Sequence, residues 1–140
     1  IFGKGSLQSE LENLVHSLDM DDSIKFMGFS SDVLMHIRTA SAFVMSSKFE
    51  GLSNSMLESL CMGVPTICTK CGGGGAEAVI RNGENGILVD IDDDFAESEA
   101  FNKIVEDKSY SNHLSNNALM LRRSLSLETI GNEWANLLFK

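Results

Sequence analysis

The sequence predicts an α/β fold in which helices flank a parallel β-sheet. Short apolar segments typical of buried strands alternate along the chain with segments whose apolar residues recur at helical spacing. Such alternation gives parallel strands joined by helical crossovers, which cover both faces of the sheet. The 140 residues, of which 43% are hydrophobic and 22% are charged, are enough for one domain with its own core.

Five predicted strands account for the short apolar segments. They are the end of a strand at Ile1 and Phe2, followed by strands over 24–29, 42–46, 66–68 and 87–89. Pro65 marks the entry to the fourth of them, because proline is tolerated at the start of a strand. The turn-forming segment 82–86 reverses the chain before the last strand.

The predicted helices lie between and after these strands. They cover 6–18, 31–40 with Ser31 as cap, a segment from Ser53 or Asn54 to Gly63, 76–80, about 95–106, 109–123 and 127–139. The first is a surface helix with one apolar side, made of Leu7, Leu11, Leu14, Val15 and Leu18. The second has a predicted buried face of Val33, Leu34 and Ile37, and the last is expected to pack against the sheet through Trp134, Leu137 and Leu138.

The chain is acidic, with 11 basic against 20 acidic residues and a formal net charge of −9. Binding of nucleic acid or of an anionic bilayer through a general positive field is therefore not expected. A phosphorylated ligand would have to be attracted locally, by helix amides or a few placed cations. No apolar segment approaches the roughly 20 residues of a transmembrane helix and no secretory signal opens the chain, so we expect a cytoplasmic protein. In its full-length form it would be either free or peripheral at the inner face of the membrane.

No metal ion or resident cofactor is expected. Cys68 and Cys71 form a Cys-x-x-Cys pair with Cys61 nearby, but the fourth ligand of a structural zinc site is missing. A redox pair needs a helix that begins at the first cysteine, whereas glycines follow here. Three free thiols are the favoured interpretation.

An acidic segment after the last predicted strand imitates the start of a calcium-binding loop through Asp90, Asp92 and Asp94. Phe95 and Phe101 occupy the positions that need glycine and a bidentate glutamate. These acids are instead expected to cap and charge the start of the following helix.

Two further features, His36 and the four consecutive glycines, do not by themselves indicate a functional site. His36 is expected to be a surface or half-buried side chain. The four glycines 72–75 lack the Gly-Lys-Ser/Thr ending of a phosphate-binding P-loop. They form either a mobile turn or a loop that needs positive φ or a close approach of its backbone, and both interpretations stay open.

The segment 49–58 is the strongest candidate for a functional site. It follows the predicted strand 42–46, is broken by Gly51 and continues into a helix. Seven residues separate Glu50 from Glu58, so one carboxylate lies at the strand's carboxyl end and the other in the opening turns of the helix, with free helix amides between them. Those amides suit an anion, and carboxylates accept hydrogen bonds from sugar hydroxyls. The layout indicates a ligand with an anionic middle and hydroxylated ends, such as a nucleotide diphosphate sugar.

This segment resembles the donor-site motif of the retaining glycosyltransferases of family 4, also called group 1. In that motif two glutamates have seven residues between them, in a Glu-Gly-x-x-Asn-Ser-x-x-Glu setting. Other segments resemble the family and follow its order: 1–5, 25–29, 31–33, 61–67, 73–77 and 82–89. The resemblance covers almost the whole chain and departs mildly at Ser53, where the family often has proline.

The resemblance implies a GT-B fold, which consists of two Rossmann-like domains with the active site in the cleft between them. This chain would be the C-terminal half, a single nucleotide-sugar-binding domain over 1–140, with the acceptor-binding domain upstream. A first residue Ile1 in place of an initiator methionine agrees with a fragment. The family works without a bound divalent ion.

The resemblance also implies roles for individual residues. Glu50 would be the catalytic residue and would bind hydroxyls of the transferred sugar, together with the backbone amides of Leu52 and Ser53. The amides of Asn54 and Ser55 would bind the diphosphate, Glu58 the ribose, and the segment with Phe26 and Met27 the base. An arginine and a lysine that hold the diphosphate in the family would lie upstream of this chain.

The expected function is retaining transfer of a hexosyl group from a nucleotide diphosphate sugar to an acceptor glycan or lipid, which the missing domain would bind. Cell-surface polysaccharide or lipopolysaccharide synthesis is a common task of the family. The isolated fragment is expected to bind donor weakly and to be inactive. Two alternatives stay open, a sugar-nucleotide epimerase of related GT-B fold and a non-catalytic nucleotide-binding module.

Overall fold

The computed structural model describes residues 1–139, which form two compact units, Ile1–His36 and the residues from Ile37 onward. Lys140, the last residue of the predicted domain, lies outside the described residues. The helix α2 spans the boundary between the units.

In the first unit, helix α1 (Gln8–Ser17) confirms the predicted first helix with slightly shorter bounds. Of its apolar side only Val15 is buried, whereas four leucines are exposed, namely Leu7, Leu11, Leu14 and Leu18. A unit this short has little surface with which to cover a helix face.

The predicted strand over 24–29 is wrong in extent. It is reduced to one parallel bridge between Phe2 and Gly28, in which the Gly3 amide donates to the Gly28 carbonyl at 2.8 Å. Gly28 has a φ of +64°, and this left-handed conformation interrupts extended backbone. Pairing therefore stops after a single bridge.

Helix α2 (Val33–Thr39) confirms the predicted second helix with shorter bounds. Ile37 is buried and Val33 half-buried, but Leu34 is 41% exposed, so its predicted burial is wrong. On so short a helix, the narrow buried stripe follows Val33 and Ile37, four residues apart. His36 is exposed, as predicted, and its ring centroid lies 4.9 Å from that of Phe2 within the first unit.

The second unit contains a parallel sheet of three strands, in the order β1 (Phe43–Met45), β2 (Thr66–Thr69) and β3 (Ile87–Val89). All three were predicted, and the α/β fold class is confirmed. In register, Val44 pairs with Ile67, which pairs with Ile87. The central strand β2 is buried throughout, as a strand covered on both faces should be.

Helices cover both faces of this sheet, as predicted. They are α3 (Asn54–Met62), α4 (Gly75–Val79), α5 (Asp94–Glu106) and α6 (Lys108–Leu119). One core contains Met56, Leu60, Cys68, Ala76, Ile80 and Ala118. The other contains Ile67, Ile87, Val89, Ala100, Ile104 and Leu114. Neighbouring residues of a strand point to opposite faces, so Ile67 and Cys68 enter different cores, and α6 contributes a side chain to each.

The helix ends follow from identifiable residues. Gly63, at a φ of +72°, ends α3 as predicted, because this left-handed conformation suits glycine. The cap of α5 is Asp93, which accepts from the Ala96 amide at 2.9 Å, and not one of the three aspartates predicted for this role. Asp94 adds negative charge to the first turn, as expected.

The C-terminal helices differ from the prediction in two ways. The segment predicted as one helix over 109–123 is divided into α6 and the short α7 (Leu121–Ser124), with Met120 between them. The last helix, α8 (Leu127–Leu138), has the predicted position, but its predicted packing against the sheet is wrong: Trp134, Leu137 and Leu138 are 58%, 69% and 65% exposed. α8 packs beside α7, which leaves this apolar side uncovered. Among residues 1–139, no helix has both the length and the apolar composition that crossing a bilayer requires.

Candidate active site at the carboxyl edge of the sheet

Glu50 lies in the loop that connects β1 to α3, residues 46–53, which we call the glutamate loop. The loop begins at the carboxyl end of β1, the edge at which α/β sheets bind their ligands. Glu50 is half-buried, Leu52 is 56% exposed and Ser53 is buried. The main chain of Glu50 is fixed by a hydrogen bond from its amide to the Gly72 carbonyl, at 2.9 Å.

The start of α3 carries unpaired backbone donors. Ser53 has the extended N-cap conformation, but its side chain makes no hydrogen bond to a helix amide and instead lies 3.0 Å from the Ser55 hydroxyl. The position of the N-cap, Ser53, is one of the two that were predicted, but the hydrogen bond expected from a helix amide to its side chain is absent. Six consecutive N–H groups, those of residues 51–56, have no hydrogen-bond acceptor within the described chain. Together with the positive end of the helix dipole, they favour an anion or an acceptor oxygen.

Glu58 is half-buried in α3, four residues after Asn54. Residues with this spacing lie on the same side of a helix, about 6 Å apart along its axis. Asn54 is exposed and Ser55 half-buried. The structure thus brings Glu50, Leu52, Ser53, Asn54, Ser55 and Glu58 together on one loop and the helix that follows it.

The glycine loop, residues 72–75, lies against the glutamate loop. Gly72 forms a parallel bridge with Phe49. A methyl group on Gly73 would overlap the Glu50 carbonyl oxygen, and one on Gly75 would overlap the Gly51 carbonyl oxygen. Gly73 and Gly74 have positive φ values of +105° and +66°. Both properties expected of glycine here, positive φ and close approach, are present.

Two lysines at this edge are paired with aspartates that follow β3. Lys48 Nζ lies 2.8 Å from the Asp92 carboxylate, and Lys70 Nζ lies 2.9 Å from that of Asp90. All four side chains are exposed, so each pair contributes little to stability. Neither lysine was among the sequence-predicted site residues, although each closely follows a predicted strand, which is the signal that could have identified them.

Phe26 and Met27, the residues predicted near the base, belong to the first unit, whereas the glutamate loop belongs to the second. Phe26 is half-buried and Met27 is 51% exposed.

The cysteines are free thiols, as predicted. Cys68 and Cys71 are buried and Cys61 is half-buried. Burial, helped by the nearby charges of Cys71 and Glu97, raises the pKa of Cys68 to about 12, so its reactive thiolate is scarce near neutral pH. Residues 1–139 contain no group of three or more histidine, cysteine, aspartate or glutamate side chains that could hold a metal ion.

A parallel sheet with helices on both faces puts the chain in the class of α/β domains. Comparison with known proteins narrows this class. The family described as "Glycosyl transferases group 1" matches residues 1–120, and the chain belongs to this family.

Individual relatives agree with this assignment. The lipopolysaccharide core biosynthesis glycosyltransferase LpsE of Rhizobium meliloti is 33% identical over 115 residues, which are 82% of this chain and 33% of the relative. A Campylobacter jejuni protein, N-acetylgalactosamine-N,N'-diacetylbacillosaminyl-diphospho-undecaprenol 4-alpha-N-acetylgalactosaminyltransferase, is 29% identical over 80% of this chain and 32% of its own length. The chain therefore spans about a third of the length of these relatives.

Solved structures show the same fold. Alr3699/HepE of Anabaena in complex with UDP superposes with a TM-score of 0.89 at 22% identity, covering 98% of this chain and 39% of that protein. Its complex with UDP-glucose gives a TM-score of 0.87 at the same identity and coverage. A likeness at this identity shows the fold, and the GT-B neighbours agree with the fold that the sequence resemblance implied.

Proposed function

We propose that this chain is the donor-binding domain of a group 1 glycosyltransferase and that its site holds a nucleotide diphosphate sugar. The observation that carries the proposal is the row of unpaired N–H groups over residues 51–56, which lies between Glu50 and Glu58. Backbone donors suit the anionic diphosphate, whereas carboxylates suit hydroxyl groups on either side of it. A ligand with negative charge at both ends would be repelled by these glutamates.

Different residues then bind the different parts of the donor. Glu50 binds hydroxyls of the transferred sugar and is the catalytic residue, and the backbone amides of Leu52 and Ser53 assist it. The amides of Asn54 and Ser55 bind the diphosphate, and Glu58 binds the ribose hydroxyls.

Transfer breaks the bond between the sugar's anomeric carbon and the diphosphate oxygen, which keeps the electron pair. Negative charge therefore grows on the diphosphate as the acceptor hydroxyl forms its new bond to carbon, and the proton of that hydroxyl passes to the departing diphosphate or to solvent. The N-terminal amides of α3 are already aligned and need no reorganisation to stabilise that charge. The proposal needs no metal ion, and it assigns a hexosyl group and retention of the anomeric configuration.

The comparisons support a task in cell-surface glycan synthesis. One relative is named for lipopolysaccharide core biosynthesis and another for transfer onto a diphospho-undecaprenol glycan. The structural neighbour from Anabaena binds UDP and UDP-glucose. We therefore assign a glycan or a lipid as the acceptor, held by a part of the protein outside this chain, at the cytoplasmic side of the membrane.

Calorimetric titration of the full-length protein with UDP, GDP, ADP and their sugar conjugates tests the proposal. We expect one nucleotide series to bind and the Glu58→Gln variant to bind it about tenfold more weakly, because the charged acceptor of a hydrogen bond is replaced by a neutral one. Glu106→Gln, which changes an exposed glutamate on α5, is the matched control and should bind like the wild type.

Three results would contradict this function. Absence of binding in every series would refute the donor site. Binding by Glu58→Gln as tight as that of the wild type would show that Glu58 does not contact the ribose. Conversion of the sugar nucleotide into an epimer without any acceptor would favour an epimerase.

A further inference from the structure

The glycine loop meets two consecutive peptide groups of the glutamate loop from the same direction. A methyl group on Gly73 would overlap the Glu50 carbonyl oxygen, lie 2.9 Å from the carbonyl carbon and 3.4 Å from the Gly51 nitrogen. A methyl group on Gly75 would overlap the Gly51 carbonyl group and lie 2.7 Å from the Leu52 nitrogen. In both peptide groups the oxygen is the nearest atom and the nitrogen the farthest.

This order of distances fixes where the two N–H groups point. A trans peptide is planar, and its N–H and C=O bonds point in opposite directions. Because the carbonyl oxygens of Glu50 and Gly51 face the glycine loop, the N–H groups of Gly51 and Leu52 point away from it. Neither N–H has an acceptor among residues 1–139.

The contact has no room for a side chain, which distinguishes these two glycines from their neighbour. Gly74 lies between them in sequence, yet a methyl group there would meet no atom within 4 Å. Gly51 itself would also tolerate a methyl group, since its φ is not positive and no atom lies within 4 Å of that position. Crowding is therefore confined to Gly73 and Gly75, which lie against the peptide oxygens, and to Gly72 beneath the Phe49 ring.

Further contacts hold the two loops in this relation. The Glu50 amide donates to the Gly72 carbonyl at 2.9 Å, and Phe49 and Gly72 form a parallel bridge. Below them, the Thr69 hydroxyl donates to the Ser47 carbonyl at 2.5 Å. The glutamate loop is thus hydrogen-bonded to the glycine loop at Phe49 and Glu50. Immediately after these contacts, the carbonyl groups of Glu50 and Gly51 pack against Gly73 and Gly75.

We propose that Gly73 and Gly75 are positioning residues of the donor site: they orient two peptide groups so that the Gly51 and Leu52 amides donate to the sugar part of a nucleotide sugar. This inference rests on the proposed function, in which the α3 amides bind the diphosphate. The two loop amides come before those of α3 and lie on the side of Glu50, which the proposed function assigns to the transferred sugar. They therefore face the sugar and not the ribose. They supply hydrogen-bond donors there, which complement the acceptor oxygens of Glu50 at a hydroxylated ligand.

The first test uses the unaltered full-length protein with 15N-labelled glycine and leucine, titrated with UDP and with UDP-glucose. If the guanosine or adenosine series is the one that binds, its diphosphate and glucose conjugate replace UDP and UDP-glucose in both tests. The Gly51→Ala and Leu52→Met variants identify the two amide signals. We expect both signals to shift with UDP-glucose and to stay in place with UDP. Identical shifts with the two ligands, or no shift with UDP-glucose when it binds, would overturn the inference.

The second test compares neighbouring glycines. In Gly75→Ala we expect the affinity for UDP-glucose to fall about tenfold and that for UDP to change by less than about twofold, because only the sugar contacts are lost. Gly74→Ala is the matched control: its positive φ lowers the melting temperature, but both affinities should stay near the wild-type values. Gly73→Ala serves as the second variant.

A purely structural role would reduce both affinities together, and that result in Gly75→Ala or Gly73→Ala would contradict the inference. If both variants fail to fold, the titration of the unaltered protein decides. Failure of the proposed function looks different, since the unaltered protein would then bind neither UDP nor any other nucleotide of the series.

Discussion

At the scale of single residues, Glu50 is held by its main chain and not by its side chain. Its amide donates to Gly72, and the Cys71 thiol lies 4.0 Å from its carbonyl oxygen. The carboxylate has no hydrogen bond or ion pair among the described residues that would be lost on substitution. Its chemistry can therefore be changed without removing a contact of the fold.

Glu50→Gln in the full-length protein is expected to reduce transfer by about 10²- to 10³-fold, because the charge that faces the sugar in the transition state is lost. The free energy of unfolding should change by less than about 0.5 kcal/mol, as for a substitution away from the core. Initial-rate measurements and urea unfolding on the same preparations check both statements. Unchanged transfer would show that Glu50 is not the catalytic residue.

The sequence correctly placed Glu50 on a loop after a strand and Glu58 in the helix that follows, because the spacing and the helix start between them are local properties. It could not predict the ion pairs of the two lysines, whose partners Asp90 and Asp92 lie 20 and 44 residues away along the chain. The direction of the Gly51 and Leu52 amides was equally inaccessible. That direction depends on a contact between two loops, and the pattern of either loop alone does not contain it.

At the scale of elements, α3 is defined more sharply at its end than at its start. Gly63 ends the helix with a left-handed conformation, and its amide donates to the Leu60 carbonyl at 3.0 Å. The Leu119 side chain of α6 packs directly over it, so a methyl group there would lie 2.9 Å from Leu119 Cγ. Two separate constraints thus require glycine at this position.

Gly63→Ala should lower the free energy of unfolding by about 2 kcal/mol, because it combines a strained φ with overpacking against Leu119. Gly131→Ala is the matched control, since Gly131 lies in α8 with no atom within 4 Å of the added methyl group. It should raise the free energy of unfolding by about 0.5–1 kcal/mol. Equal effects of the two substitutions in denaturant unfolding would contradict this explanation.

The predictions that failed concern elements with no packing or pairing partner along one side. Helical spacing correctly predicted α1 and α8, but it does not say what covers an apolar face, so the expected burial of Trp134 and its neighbours failed. The strand over 24–29 had suitable residues but found only one bridge. The three strands of the second unit and the helices α3 to α5 were predicted well because each has a covering partner within the same unit.

At the scale of the whole molecule, the regular alternation of strands and helices was sufficient to predict a parallel sheet with two covered faces.

Buried side chains that can lose a proton make the stability of the molecule depend on pH. Cys68 is fully buried on β2, and burial raises its pKa from the usual 9.0 to about 12. The unfolded chain therefore releases this proton at a lower pH than the folded chain.

The free energy of unfolding should accordingly be insensitive to this thiol below pH 9 and fall as the pH rises from 9 towards 12. Burial also raises the pKa of Tyr110 and Cys61, which add to the alkaline loss. The informative quantity is therefore the difference between the wild type and Cys68→Ala in urea unfolding across this range. A difference that is constant with pH would contradict the burial of an uncharged thiol.

Helix α6 places Leu114 in one core and Ala118 in the other. The two cores are separated by the sheet, yet one helix completes both, so neither can lose its packing while the other stays intact. The two faces should therefore melt as one cooperative unit. A partly unfolded state that keeps one face of the sheet packed and loses the packing of the other is correspondingly disfavoured. Fluctuations that open the site are thus expected to come from its loops, while the layers beneath it stay closed.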